Sequence, residues 1–347
     1  MFALQSELAQ AIAGQIRVAL TPEERVRLAA ARRVDPLAHE EYLKGLYYWN
    51  QFTREGFLKS LEHFRRAVEI DPGFALAHAG IANVYMGMSS GFMAPDSAIP
   101  RVTAAASRAL ELDPELPEAF AARAYVKAFH DWRWGEAEAD YRRALELGPG
   151  NALSHSMYGY LLAVNGRIDE SIAEMSKAHE IDLLSTFIAS LQLWPLNEGR
   201  RYDQAIAMAQ AIIRDDSTAW NAQGVLAQAY TQKREFERAI ATERAGRRAL
   251  RDTTPERPLI LIHAMQGQRD LALRELRSEI QRGWRGNYDI GLIYGWLGMN
   301  DEAFAWLEKD MQARIESVIW LKVDPVADPL RSDPRFHGLL KRLGFAS

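Results

Sequence analysis

The chain has 347 residues, 48% of them apolar, with 42 basic against 46 acidic side chains and no cysteine. The apolar share excludes wholesale disorder, and the near balance of charge excludes a phosphate-neutralising surface as the main business. Without cysteine there are no disulfides, thiolate zinc sites or cysteine nucleophiles.

Residues 2–20 read as one amphipathic helix. Leu4, Leu8, Ile12, Ile16 and Leu20 form a row at four-residue spacing, with small Ala9 and Ala13 beside it. Thr21-Pro22-Glu23-Glu24 starts a second helix, with threonine as N-cap, proline at the first position and acids in the first turn. Glu7 and Arg17 interrupt the apolar stretch and no basic segment precedes it, so it is not read as an export signal. The segment 1–38 is assigned as helical linker and cap, ahead of a repeat array over 39–315 and a C-terminal cap over 316–347.

The array rests on one recurring grammar: a small residue, a bulky apolar residue one turn later, alanine, then Asp-Pro or a variant. Its copies run Ser60, Phe64, Ala67, Asp71-Pro72; then Val102, Ala106, Ala109, Asp113-Pro114; then Ala137, Tyr141, Ala144, Gly148-Pro149. Ser171, Met175 and Ala178 follow, with Asp182-Leu183 in place of Asp-Pro, and the small residue returns at Ala205, Ala239, Ala272 and Ala303. From Val102 to Ala272 the step stays near ~34 residues. The small residue lets two helices cross closely, the large one fills the space between neighbours, and proline stops the helix. Gly166, Gly199, Gly267 and Gly298 fall where first helices end, and Asp169, Asp203, Asp270 and Asp301 where second helices begin. Eight units follow, over 39–73, 75–115, 117–150, 152–184, 186–218, 220–252, 255–283 and 285–315. Three Asp-Pro steps then lead into a short helix, Pro334–Leu343, whose Phe336, Leu339, Leu340 and Leu343 suit it to cover the last repeat.

This period and packing order resemble the tetratricopeptide repeat (TPR) family. The fold expected is therefore all-α, a right-handed TPR superhelix (α-solenoid) of about eight helix-turn-helix repeats with capping helices at both ends. Tyr42-Leu43-Lys44-Gly45-Leu46-Tyr47-Tyr48-Trp49-Asn50, Asp131-Trp132-Arg133-Trp134 and the closing Asp328-Pro329-Leu330-Arg331-Ser332-Asp333-Pro334-Arg335-Phe336 resemble the C-terminal TPR module of bacterial signalling proteins and transcriptional regulators. In that family the module follows a TolB-like domain and an effector domain. The resemblance implies a protein–protein interaction scaffold that holds a polypeptide segment in its concave groove, or a regulatory module answering a ligand or partner. It implies no enzyme activity and no cofactor. The compartment expected is the cytoplasm, or the periplasm for a membrane-anchored regulator.

Family register places Tyr42, Trp49 and Asn50 on the concave wall, with Leu46 between them. It adds Asn83, Met86, Tyr125, Phe129, Tyr160, Phe187, Trp194 and Asn197. Aromatic side chains of this kind anchor peptides with large contact area; packing between helices is the competing role for each. Trp132 and Trp134 lie in the turn of repeat three, as a contact site or a staple on the neighbouring repeat. The eight histidines are scattered, with no His-x-x-x-His pair beside a glutamate, so no metal is expected. Gly-rich phosphate loops and a Gly-x-Ser-x-Gly elbow are absent. The pairs Arg65-Arg66, Arg142-Arg143 and Arg247-Arg248 read as solvated surface on second helices, so no direct nucleic-acid partner is expected. No apolar run suffices for a membrane span.

Overall fold

A computed structural model describes residues 34–89, 91–249 and 256–345; the helices predicted over 2–20 and from Thr21 lie outside them. Regular structure among the described residues is entirely helical. These residues fall into two compact units. One runs to Met93 and resumes over Pro100–Leu116; the other comprises Ala94–Ile99 and the chain from Pro117 on.

The first unit holds repeat one, Pro36–Trp49 paired with Arg54–Ile70, and of repeat two the helix Ala75–Ser89 and, from Pro100 on, the helix Pro95–Leu112. Asp35 starts the first helix by accepting the Leu37 and Ala38 N–H groups, and Pro36 takes the first helical position. Phe64 is the wedge of this unit. It is 1% exposed, and a methyl group added at Gly45 or Gly80 would sit 2.5 or 2.9 Å from its ring. Both glycines are therefore clearance for one aromatic side chain.

In the second unit, first helices Pro117–Tyr125, Ala152–Val164, Trp220–Gln232, Arg257–Met265 and Asn287–Trp296 alternate with second helices Trp134–Leu147, Ile168–Ile181, Phe236–Ala249, Arg269–Gln281 and Asn300–Ala313. Repeat five differs in its first helix. That helix is broken at Gln192 into Thr186–Leu191 and Leu193–Glu198, and Pro195 cannot donate back to the preceding turn. Repeat three adds a wider turn over Val126–His130, in which Asp131 N–H reaches the Val126 carbonyl at 3.0 Å.

The turns within repeats depart from the sequence expectation at one place. Gly166, Gly267 and Gly298 are left-handed at φ of 81°, 78° and 68°, as predicted. Gly199 is not; Arg200, with φ of 59°, takes that conformation instead. Gly199 answers to space, because a Cβ there would lie 2.6 Å from Ile168. Between repeats, Asp71 and Asp113 accept the N–H two residues on, at 3.1 and 3.0 Å, closing the helix stop with an Asx turn.

Candidate functional site

Beyond repeat eight the chain turns at Arg314, a left-handed residue with φ of 49°. It returns as two 3₁₀ segments, Glu316–Lys322 and Pro325–Leu330, before the last helix Pro334–Arg342. Asp324 and Asp333 start the second segment and the helix by accepting the Val326 and Arg335 N–H groups. The first segment of this strap lies on the first helices of repeats three, four and five, and the second packs on the first helix of repeat eight, where Trp296 donates to the Val326 carbonyl at 2.9 Å. Tyr125 donates its hydroxyl to Glu316 at 2.9 Å, and Arg314 donates to the His130 carbonyl at 2.6 Å. Trp320 stands edge-on to Tyr160, ring centres 5.4 Å apart, and 6.0 Å from Trp194. Lys322 donates to the Asn165 carbonyl at 2.9 Å, and Arg200 pairs with Asp328 at 2.7 Å. Val318, Ile319 and Leu321 are completely buried. Arg331 stiffens the strap by donating to the carbonyls of Lys322 and Asp324 at 2.8 and 3.0 Å.

The expected aromatic wall is thus divided. Trp49, Met86, Tyr125, Phe129 and Asn197 are buried and do not line an open groove. Trp49 packs 5.3 Å from Phe57 of the next helix, while Tyr125 packs edge-on 5.0 Å from Phe129 one turn further along the chain, under the strap. Tyr42 sits between Phe64 and Phe74, at 5.5 and 5.2 Å, and is also a packing residue. Phe187 packs on the cluster of Met175, Ala178, Ile188 and Leu191. Tyr160 and Trp194 do lie on one surface, beneath Trp320. Asn50 is exposed and Asn83 half-buried, both in the first unit.

Under the strap sit two buried carboxyls. Glu198, at the end of the first helix of repeat five, is 6% exposed, as is Asp324 on the strap. Asp324 accepts from the Tyr288 hydroxyl at 2.9 Å and from the Val326 N–H at 2.7 Å. Glu198 accepts only from Asn197, at 3.3 Å, and Glu198 Oε2 and Asn197 Oδ1 are buried without a hydrogen-bond partner. Burial, and then the Asp324 charge, push the Glu198 carboxyl well above the usual carboxylate range, against the pull of Arg200 and Arg331. Burial likewise raises Asp324, opposed by its hydrogen bonds and Arg331.

Trp132 and Trp134 prove to be staples, but onto Arg314 and the residues after the last helix rather than a neighbouring repeat. Trp134 donates to the Leu343 carbonyl at 2.7 Å and stacks on Phe345 at 4.9 Å, while Arg314 covers Trp132 at 4.8 Å. Two arginine pairs also do more than solvate a surface: Arg65 donates to the Tyr85 hydroxyl at 2.8 Å, and Arg142 to Tyr158 at 3.3 Å, each in the following repeat. Histidines pair with glutamates across a helix pair, as His63 with Glu41 and His155 with Glu174. No cluster of three side chains suited to a metal occurs among the described residues. No helix among them is long and apolar enough to cross a membrane.

The crossing residue is under the same constraint in distant repeats: Ser60 donates to the Gly45 carbonyl at 2.8 Å, and Ser171 to that of Gly159 at 2.7 Å. A chain of the APC/C hetero-tetramer Cut9–Hcn1 superposes with a TM-score of 0.55 at 14% identity, over 83% of this chain and 52% of that one. The fold is the TPR α-solenoid. No family model matches the chain. By sequence this TPR chain is 33% identical over 82 residues to putative adenylate cyclase 3 of Rhizobium meliloti, covering 24% of this chain and 14% of the cyclase. It is 22% identical over 172 residues to the transcriptional regulator HilA of Salmonella typhimurium, covering 49% and 31% of the two. The chain spans less than a third of the length of these curated relatives.

Proposed function

We propose that this TPR chain is a polypeptide-binding scaffold that serves a bacterial signalling or transcriptional regulator from the cytoplasm, holding partners rather than catalysing a reaction. The observation that carries this reading is the strap. The first helices of repeats three to five already hold a length of polypeptide, through an aromatic anchor, a carboxylate and backbone carbonyls. These are the groups by which an interface anchors a partner. The similarity to HilA and to a cyclase supports the regulator context, in which a TolB-like and an effector domain would complete the protein.

A trans-binding experiment tests it. Ile319→Asp places an unpaired charge in the buried seam and is expected to expel the strap. A fluorescent peptide of residues 314–330, with Trp320 intact, should then bind the Ile319→Asp chain with Kd on the order of 10 µM. The unaltered chain should bind at least roughly tenfold more weakly, and adding Tyr160→Ala to the variant should weaken it by a similar factor. Equal weak binding to all three folded chains, followed by fluorescence anisotropy, contradicts a polypeptide-binding wall.

A further inference from the structure

Among the described residues, no repeat precedes repeat one to cover its stacking face. The register fixed by the paired serines identifies the first-helix position two residues after the glycine each serine bonds, Gly45 or Gly159. In the first helices of repeats two, four, six, seven and eight that position is occupied by Val84, Leu161, Ala229, Ile262 and Ile293, each no more than 2% exposed. In repeat one it is Tyr47, which is 66% exposed. The neighbouring positions agree. Tyr158, the counterpart of Lys44, meets Tyr141 and Glu138 of the repeat before it. Asn151, the counterpart of Leu37, donates to Glu118 of that repeat. Leu37 and Leu43 are instead 63% and 51% exposed. The face opposite Phe64 therefore exposes Leu37 and Tyr47 at positions where interior repeats contact the repeat before them, with Leu43 exposed beside them.

We propose that residues 2–20 of the same chain occupy this face, in the place a preceding repeat takes against the interior repeats. The described chain begins at Val34, one residue before the Asp35 cap of the very helix that bears the face. The residues before it carry the row Leu4, Leu8, Ile12, Ile16 and Leu20, which is one stripe at helical spacing. A helix of that length spans about 28 Å, enough to cover the roughly 21 Å of the repeat-one first helix. The connecting residues 21–33 can reach up to ~43 Å when extended, ample for the chain to fold back. A solenoid end left bare would expose its stacking surface to other chains, which is why such ends are capped. The proposal stands independently of where a partner binds.

Photo-crosslinking in the full chain tests it. With Tyr47 replaced by p-benzoyl-phenylalanine, irradiation should give a monomer-sized product whose crosslink maps by mass spectrometry to residues 1–24. The double substitution Leu8→Asp and Ile12→Asp should cut that product at least about tenfold. The same probe at Leu184, which is 95% exposed, should give none to this segment. A product joining two copies through repeat one overturns the assignment in favour of a second copy. Crosslinks unaffected by the double substitution, or absent, overturn it outright.

Discussion

Phe64→Ala is expected to destabilise the first unit by about 3–5 kcal/mol, the cost of emptying an aromatic side chain's volume from a core that relaxes only in part. The ring is wedged against Gly45, Gly80 and Tyr42. Gly45→Ala should also destabilise. Its gain in helix propensity is about 1 kcal/mol, but its Cβ would lie 2.5 Å from two ring carbons, and forcing volume into a filled core costs ~1–3 kcal/mol. Combined with Phe64→Leu, Gly45→Ala should become neutral or stabilising, because the ring it strikes is gone. Urea denaturation of the four chains measures this as a coupling energy of roughly 1 kcal/mol or more. Strict additivity would mean that small and large residues are not paired across this crossing.

Glu198→Gln is expected to stabilise the protein at pH 8 by about 1–3 kcal/mol, since it removes a buried charge that lacks a full set of partners. The pH dependence carries the sign. In the fold Glu198 and Asp324 hold their protons above the pH at which the unfolded chain releases them. Over that window the native state binds more protons, so stability falls as pH rises, by up to ~1.4 kcal/mol per pH unit for each group. The contribution is fully present below the unfolded value near 4.5 and is lost as pH climbs through the raised folded value. The glutamine variant should match the unaltered protein at pH 4 and diverge upward from it towards pH 8, with a shallower slope. Thermal melts across that range check it; parallel slopes would show that Glu198 is ionised in the fold.

Much of this architecture could be read from local signals. Helix pairs follow from the spacing of Ser60, Ala137, Ser171 and their successors, because each must clear a crossing helix. Helix stops follow from Asp71-Pro72 and Asp113-Pro114, because backbone chemistry there is local. What escaped the sequence depends on contacts between residues far apart. Nothing near Trp320 announces that it will meet Tyr160 and Trp194, more than a hundred residues away. The same distance hides the strap's use of Tyr125, and the staple from Trp134 to Leu343. Family register placed the first-helix aromatics on a wall, but Trp49 packs against Phe57 of the next helix, and Tyr125 lies beneath the strap. The arginine of Arg65-Arg66 that binds Tyr85 had a discoverable signal, since the pattern repeats at Arg142 and Tyr158. The left-handed Arg200 had none, as glycine stood one residue before it.

Hydrogen exchange over the strap tests the central claim most directly. If residues 316–322 are seated on repeats three to five and 325–330 on repeat eight, their amides should be protected by a factor of about 10³ or more, comparable with the repeat helices. Ile319→Asp should then raise exchange in the strap and, together with it, in Tyr125–His130 and Tyr160–Asn165. Exchange of 316–330 at the rate of an unfolded peptide in the unaltered chain, with the repeats still protected, would contradict the account.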